Sequence, residues 1–412
     1  MNSKQIVVIL ILCSTHLFGL YYNLGQIAYF ILDGIGGTLI FFKILGQDKI
    51  IPNRFQLFRQ PLIWFYVAIL ASSISCYINH NQNILATIIA MRYFIYLSIY
   101  FAFSKANLRK EWFEKAIIIG ASIYLLIFIT QVVIFPVEIV NVGRIEEADR
   151  GLLRFRIEGA GFLMLAGFLC LNRFLIQFNW RHGLFYLICL GGLFMLGFRT
   201  LLITALFTSA ILMFRISNRP LLLIRNLTLL FMIIVALFSI PYVRSFTDEA
   251  VAMTMEQAEM DDDYIRFQTF DFFYNQVNKN NKTLIFGNGF PQEDSEYGQF
   301  VKDVGVNQQG FIFQDLGLIG FGIIYGATSL LALLMISFIA ISTKTKKEDL
   351  YLGCYFIYLL TSSITTTEIY RIGIFGVMAL ALHLIDLSAM QLKLDSLYSQ
   401  TLIRNNKAVN GN

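Results

Sequence analysis

The chain has 412 residues, 57% hydrophobic and only 14% charged, with a formal net charge of +5 and a mean hydropathy of +0.63. Soluble domains carry roughly a quarter charged residues, so this balance excludes an ordinary soluble fold. Repeated apolar runs of spanning length point to an all-α polytopic membrane protein, and their lack of alternation excludes a transmembrane β-barrel.

Taken in order, the runs predict about twelve transmembrane helices, at roughly 5–22, 24–45, 61–79, 84–103, 114–135, 159–178, 183–198, 200–216, 221–240, 317–341, 350–366 and 370–388. The first follows Lys4 with no small-residue cleavage site after it, and reads as a span, not a removed signal peptide. Basic residues test the count, because short cytoplasmic connections collect Lys and Arg. They fall in alternate connections: Lys49, Arg54 and Arg59; Lys105, Arg109 and Lys110; Arg181, with Arg173 just before it; Arg215 and Arg219; Lys344, Lys346 and Lys347; then Lys393, Arg404 and Lys407 in the tail. Both termini are therefore expected in the cytoplasm. The expected division is a bundle over 1–240, a large external loop over 241–316, spans ten to twelve over 317–390, and a cytoplasmic tail over 391–412 whose last residues are disordered.

Two connections are expected outside. The shorter, 136–158, holds Arg144, Arg150, Arg154 and Arg156 among Glu138, Glu146, Glu147, Asp149 and Glu158. It reads either as an internally paired surface loop or as a site for an anionic ligand. The longer begins at Pro241 and carries twelve acidic against five basic residues up to Gln308, a formal charge of −7. Asp261, Asp262 and Asp263 precede a predicted amphipathic helix at about 263–278, and read as helix caps, since the spacing and glycine turn of a cation loop are absent. Arg266, Phe270, Phe273 and Val277 recur at helical spacing, and this face is expected on the membrane surface or the bundle. Phe286-Gly287-Asn288-Gly289-Phe290 is a turn signal. The stretch from Gln309 to Ile341 is longer than one span, so its first part, through Asp315, is expected to be a separate interfacial or re-entrant helix.

Asp33 and Arg92 fall near the middle of spans two and four, where ionisable groups are costly unless paired. They are expected to form an intramembrane pair, serving either as structural glue or in substrate binding. Arg199 and Arg371 lie at outer ends of spans seven and twelve, Arg371 beside Glu368 and Tyr370. Each alone suits a snorkelling interfacial arginine. With Arg266 and the arginines of 136–158 they share the outer side, against the positive-inside trend. The five cysteines fall in apolar runs without metal-site spacing, and the four histidines form no ligand pair. No metal or cofactor is expected. No phosphate-cradling glycine loop is present, so nucleotide-driven chemistry is unsupported. External arginines suit a diphosphate or carboxylate ligand, and a carboxylate there could deprotonate a sugar hydroxyl.

Three pieces resemble the bacterial O-antigen polymerase and O-antigen ligase superfamily: Gly197-Phe198-Arg199-Thr200-Leu201-Leu202; Arg266 followed by Phe286-Gly287-Asn288-Gly289-Phe290; and Asn307 to Gly310-Phe311 with Asp315-Leu316-Gly317-Leu318-Ile319-Gly320. Ligases of that superfamily tend to carry a histidine near the end of the big loop. Here the neighbourhood is Val306-Asn307-Gln308-Gln309, which favours a polymerase. Arg150 with Gly161 and Arg156 with Gly167 also fit an arginine-to-glycine spacing described for polymerases.

The resemblance implies a glycosyltransferase joining undecaprenyl-diphosphate-linked oligosaccharides at the outer face of the bacterial inner membrane. Arg199, Arg266, Glu158 and Asp315 are the expected catalytic residues, and Arg150, Arg154, Arg156, Arg371 and Asn307 the expected substrate-binding ones. The base stays open among Glu146, Glu147, Glu158, Asp315 and Glu368. Membrane lipids and a chain-length regulator protein are further expected partners, and nucleic acid is not. A ligase acting on finished polymer is the nearest alternative. A lipid-linked oligosaccharide flippase is the alternative of another class, disfavoured by the large external loop.

Overall fold

The computed structural model describes residues 2–20, 25–46, 55–106, 108–140, 157–217 and 265–410, with Ile224, Arg225, Thr228 and Ser239 besides. All regular structure among them is helical. The first half forms α1 (Ser3–Ser14), α2 (Gly25–Leu45), α3 (Arg59–His80), α4 (Ile84–Ala90), α5 (Ile99–Phe103), α6 (Lys110–Ile134), α7 (Ala160–Gln177), α8 (Trp180–Met195) and α9 (Arg199–Ile216). After the undescribed stretch come α10 (Ile265–Asp271), α11 (Asn281–Phe286), α12 (Glu296–Phe300), α13 (Gly317–Tyr325), α14 (Ala327–Ser342), α15 (Leu350–Ser362) and α16 (Phe375–Asn410). Most of the expected span at 221–240 and all of the expected external loop before Ile265 lie outside the described residues.

Six described helices are long and apolar enough to cross a membrane, or seven if the bent pair Ile84–Ala90 and Arg92–Phe103 is one span. The chain is an α-helical membrane protein. Its outward side chains agree: Phe41, Phe42, Trp64, Ile78, Leu126 and Val133 are all exposed. So much apolar surface is stable only where lipid covers it. The centre is α7 and α16, whose apolar windows are 78% and 72% buried, against 22% for the peripheral α2. Small residues explain the close packing of α7, as they let helix backbones approach in lipid. Gly161 abuts Ile374 and the Tyr355 hydroxyl, and Gly167 abuts Cys189. Helix packing therefore accounts for both glycines without reference to the arginines spaced from them.

Several expected elements differ in form. Span one stops early: α1 ends at Ser14, and His16, Leu17 and Phe18 turn the chain with φ of 44°, 48° and 59°. Each left-handed non-glycine residue costs about 1–2 kcal/mol, so packing must hold the turn. Span four breaks after Ala90 and bends by 62°, with a 3-10 stretch over Arg92–Ser98. Span ten breaks at Gly326, between α13 and α14. The tail is not disordered up to its end, because α16 continues to Asn410, 36 residues in all and about 54 Å at 1.5 Å per residue. The helix expected at 263–278 is α-helical only to Asp271 and then winds as a π-helix over Phe272–Val277. The expected face is met in part. Thr269, Phe272, Phe273 and Val277 are buried, while Phe270 is exposed and stacks on Tyr274.

The break at Gly326 is what ties the segment after Ile265 to the bundle. A broken helix leaves carbonyls unpaired, which is untenable in lipid unless other protein groups supply donors. The turn Phe286–Phe290 supplies them. Gly289 N donates to the Ile324 carbonyl at 2.8 Å, and Asn288 Nδ2 donates to the Ile323 carbonyl at 2.9 Å. Backbones meet directly here: a Cβ on Gly326 would lie 2.5 Å from Phe286 C, and one on Gly287 would lie 2.5 Å from Tyr325 C. Both residues have positive φ, so glycine is required twice over. The C-terminal end of α3 completes the socket. His80 Nε2 lies 2.9 Å from Asn288 Oδ1, its ring stacks on Tyr297 at 4.0 Å, and Gln82 Nε2 donates to the Phe290 carbonyl at 2.9 Å. Burial of Tyr297 pushes its phenol well above the ordinary value.

Candidate functional site

The site begins at the strained turn after α1. That turn aims His16 between two carboxylates: Nε2 lies 2.8 Å from Asp33 Oδ1 and Nδ1 lies 2.5 Å from Glu158 Oε2. Only the imidazolium form can donate to both. Asp33, on α2, also accepts from Arg92 Nε at 2.6 Å and from the Tyr96 hydroxyl at 2.6 Å. Arg92 reaches it from the bend of its own span. Its Nη1 donates to the Ile89 carbonyl at 3.1 Å, and its guanidinium covers the Phe30 ring at 4.3 Å. Glu158, Asp33 and Arg92 thus belong to one network. Its charges are compensated within a largely apolar setting, as intramembrane charges must be.

Next to this network lies Arg371. Its Nη2 donates to the Ile157 carbonyl at 3.1 Å, one residue before Glu158. Its Nη1 is 3.9 Å from Glu368 Oε2. Glu368 is buried in the 3-10 turn Glu368–Tyr370. The Tyr370 hydroxyl donates to the Gly317 carbonyl at 2.8 Å, and Asp315, exposed in the turn before α13, lies within electrostatic reach of Tyr370. The N-terminus of α7, the approach to α16 and the start of α13 therefore meet at one end of the bundle.

No family model matches the chain. No curated protein matches it either.

The other expected residues are dispersed. Arg199 opens α9 and Arg266 sits in the first turn of α10; both are half-buried and both have polar or electrostatic partners. Asn307 is exposed, and its Nδ2 donates to Asp303 Oδ1 at 3.2 Å within its own helix, so its amide is engaged locally. Arg150, Arg154 and Arg156 lie outside the described residues, as do Glu146 and Glu147. Among the described residues no group of three or more potential ligands could hold a metal ion.

Sequence reasoning passed over His16, which bridges the two carboxylates, and Tyr96. A usable signal was there: His16, Asp33 and Arg92 are isolated ionisable residues inside apolar runs, and such residues seek one another.

A second buried network occupies the far end of α7. Arg173 Nη2 donates to Glu114 Oε2 at 2.6 Å, Lys110 is ion-paired with Asp349, and Ser388 Oγ donates to Asp349 Oδ2 at 2.6 Å. Asn172 Nδ2 donates to the Glu348 carbonyl at 2.7 Å. These contacts join the ends of α6, α7 and α15 to the middle of α16. Beyond them Asp395 hydrogen-bonds Lys346 at 2.8 Å and raises that ammonium's pKa. From Glu158 to Arg173 along α7 is about 22 Å at 1.5 Å per residue. The two networks stand on opposite sides of the apolar slab.

Proposed function

We propose that this chain is a polysaccharide polymerase, a membrane glycosyltransferase that joins polyprenyl-diphosphate-linked repeat units at the outer face of the bacterial inner membrane. The observation that carries the reading is that Arg371 bonds the Ile157 carbonyl, next in the chain to Glu158, which His16 links to the Asp33–Arg92 pair. Guanidinium groups and carboxylates gathered at one end of an apolar bundle suit a diphosphate leaving group and a hydroxyl nucleophile. The segmental resemblance adds Arg199 and Arg266 as the groups that hold the leaving diphosphate. In this proposal the chain has twelve spans, both termini are cytoplasmic, and the segment after Pro241 is external. The basic Lys110–Arg173 end supports that orientation by the positive-inside trend.

The donor is the growing chain on its lipid carrier, and the acceptor is a single lipid-linked repeat. Lipids surround the protein, and a chain-length regulator protein is a proposed partner. The test is an assay of purified protein with lipid-linked repeat units. Polymer supports the proposal, and Arg199→Ala or Arg266→Ala should abolish it at unchanged protein level. Transfer of finished polymer to another acceptor would indicate a ligase. Relocation across vesicles without new bonds would indicate a flippase. Full-length polymer from both arginine variants would remove those two residues from the mechanism.

A further inference from the structure

Beside the site Glu368 Oε2 and Arg371 Nη1 form a loose ion pair at 3.9 Å, too long for a hydrogen bond, and neither atom has a hydrogen-bond partner; the buried Tyr355 hydroxyl has none either. Tyr355 is fully buried, Glu368 is 3% exposed, and the two are close enough to interact electrostatically. Tyr355 lies against Gly161 in the first turn of α7, where Ile374 also packs, three residues beyond Arg371. A buried polar atom without a hydrogen bond costs about 1–3 kcal/mol, and an oxygen bridging this loose pair would supply one to each partner. Such an oxygen must accept from a guanidinium and donate to a carboxylate across a gap of 3.9 Å. A hydroxyl does both.

We infer that Glu368 and Arg371 hold the acceptor sugar's attacking hydroxyl, and that Glu368 is the general base. This inference rests on the polymerase reading. Glu158 already bonds His16, and Asp315 is exposed, whereas Glu368 offers an enclosed oxygen that accepts no hydrogen bond. The acceptor oxygen bonds to the donor's anomeric carbon. The bond from that carbon to the diphosphate breaks, and its electron pair leaves with the polyprenyl diphosphate. The hydroxyl proton passes to the Glu368 carboxylate and later to water. Arg371 orients the hydroxyl through Nη1 while the Ile157 carbonyl fixes its Nη2.

The test uses the full chain in lipid nanodiscs, with lipid-linked repeat units extracted from cells that make it. Farnesyl diphosphate serves as a separate binding probe. Glu368→Gln should lower turnover at least about 100-fold, as loss of a general base does, while farnesyl diphosphate affinity stays within threefold. Turnover of the wild type should fall as acid protonates the base, and the residual turnover of Glu368→Gln should lack that dependence. If Glu368→Gln does not fold, Glu368→Asp is read through its pH profile, and an unmoved acid limb overturns the assignment. Polymer made by Glu368→Gln within threefold of wild type also overturns it, leaving the polymerase reading intact. No polymer from the wild type removes that reading and this inference together.

Discussion

The Arg92 guanidinium meets the Asp33 carboxylate at 2.6 Å, and does so from the bend of its own span. A straight helix over 84–103 would present Arg92 differently. At the break Arg92 Nη1 also donates to the Ile89 carbonyl. Asp33 is the more heavily committed partner, because it accepts from His16, Arg92 and Tyr96 together.

The two partners are therefore unequal. Asp33→Asn should cost about 3 kcal/mol, within the range for breaking a buried pair, and Arg92→Gln clearly less, since Arg92 is 32% exposed. Detergent-solubilised melting temperatures measure this order. Exchanging the two residues should restore stability only in part, because the new arginine would face His16 and Tyr96. Full restoration would mean that those two contacts carry no weight.

His16 should be coupled to Glu158. Replacing His16 by Phe leaves the Asp33 and Glu158 carboxylates without the cation between them. Glu158→Gln should then be less damaging in the His16→Phe background than in the wild type. A double-mutant cycle should give a coupling of about 0.5–3 kcal/mol; strict additivity would show that the bridge contributes nothing.

The socket at Gly326 predicts a different phenotype. Gly326→Ala places a methyl group against Phe286 and Gly287 and should expel the turn. Limited proteolysis should then cut within 281–300, a segment protected in the wild type. Gly34→Ala is the control, as a Cβ there meets nothing within 4 Å. Equal protection in both variants would show that the turn is not held by this contact.

At the opposite end, Asp349→Asn should lower stability by about 3–5 kcal/mol, because it uncouples Lys110 in a fully buried position. Turnover per folded molecule should change by less than threefold. A large loss of turnover without loss of stability would move the site to that end of α7.

Composition and run length made the membrane class legible, since lipid demands long apolar helices and tolerates little else. The pairing of Asp33 with Arg92 could be anticipated because isolated charges in apolar runs have few possible partners. The breaks could not. Gly326 ends a helix only because the turn at Phe286–Phe290 is there to receive its carbonyls, and that turn precedes it by some forty residues. Helical spacing on Arg266, Phe270, Phe273 and Val277 gave the buried face only in part: Phe273 and Val277 are buried and Arg266 is half-buried, but Phe270 is exposed. Glu368 could be named as one candidate base among several, but the setting of its carboxylate depends on contacts among α7, α15 and the approach to α16.

The socket also sets a timetable for assembly. His80 and Asn288 are 208 positions apart. At about 5–20 residues per second, a ribosome delivers the second roughly 10–40 s after the first. For that interval α3 must stand with its C-terminal end unengaged. Asn81, in the left-handed conformation with its N–H on the Tyr77 carbonyl at 3.1 Å, closes the helix by itself. The receiving half of the socket is finished before its insert is made, and α13 and α14, synthesised after both, are the parts that lock it.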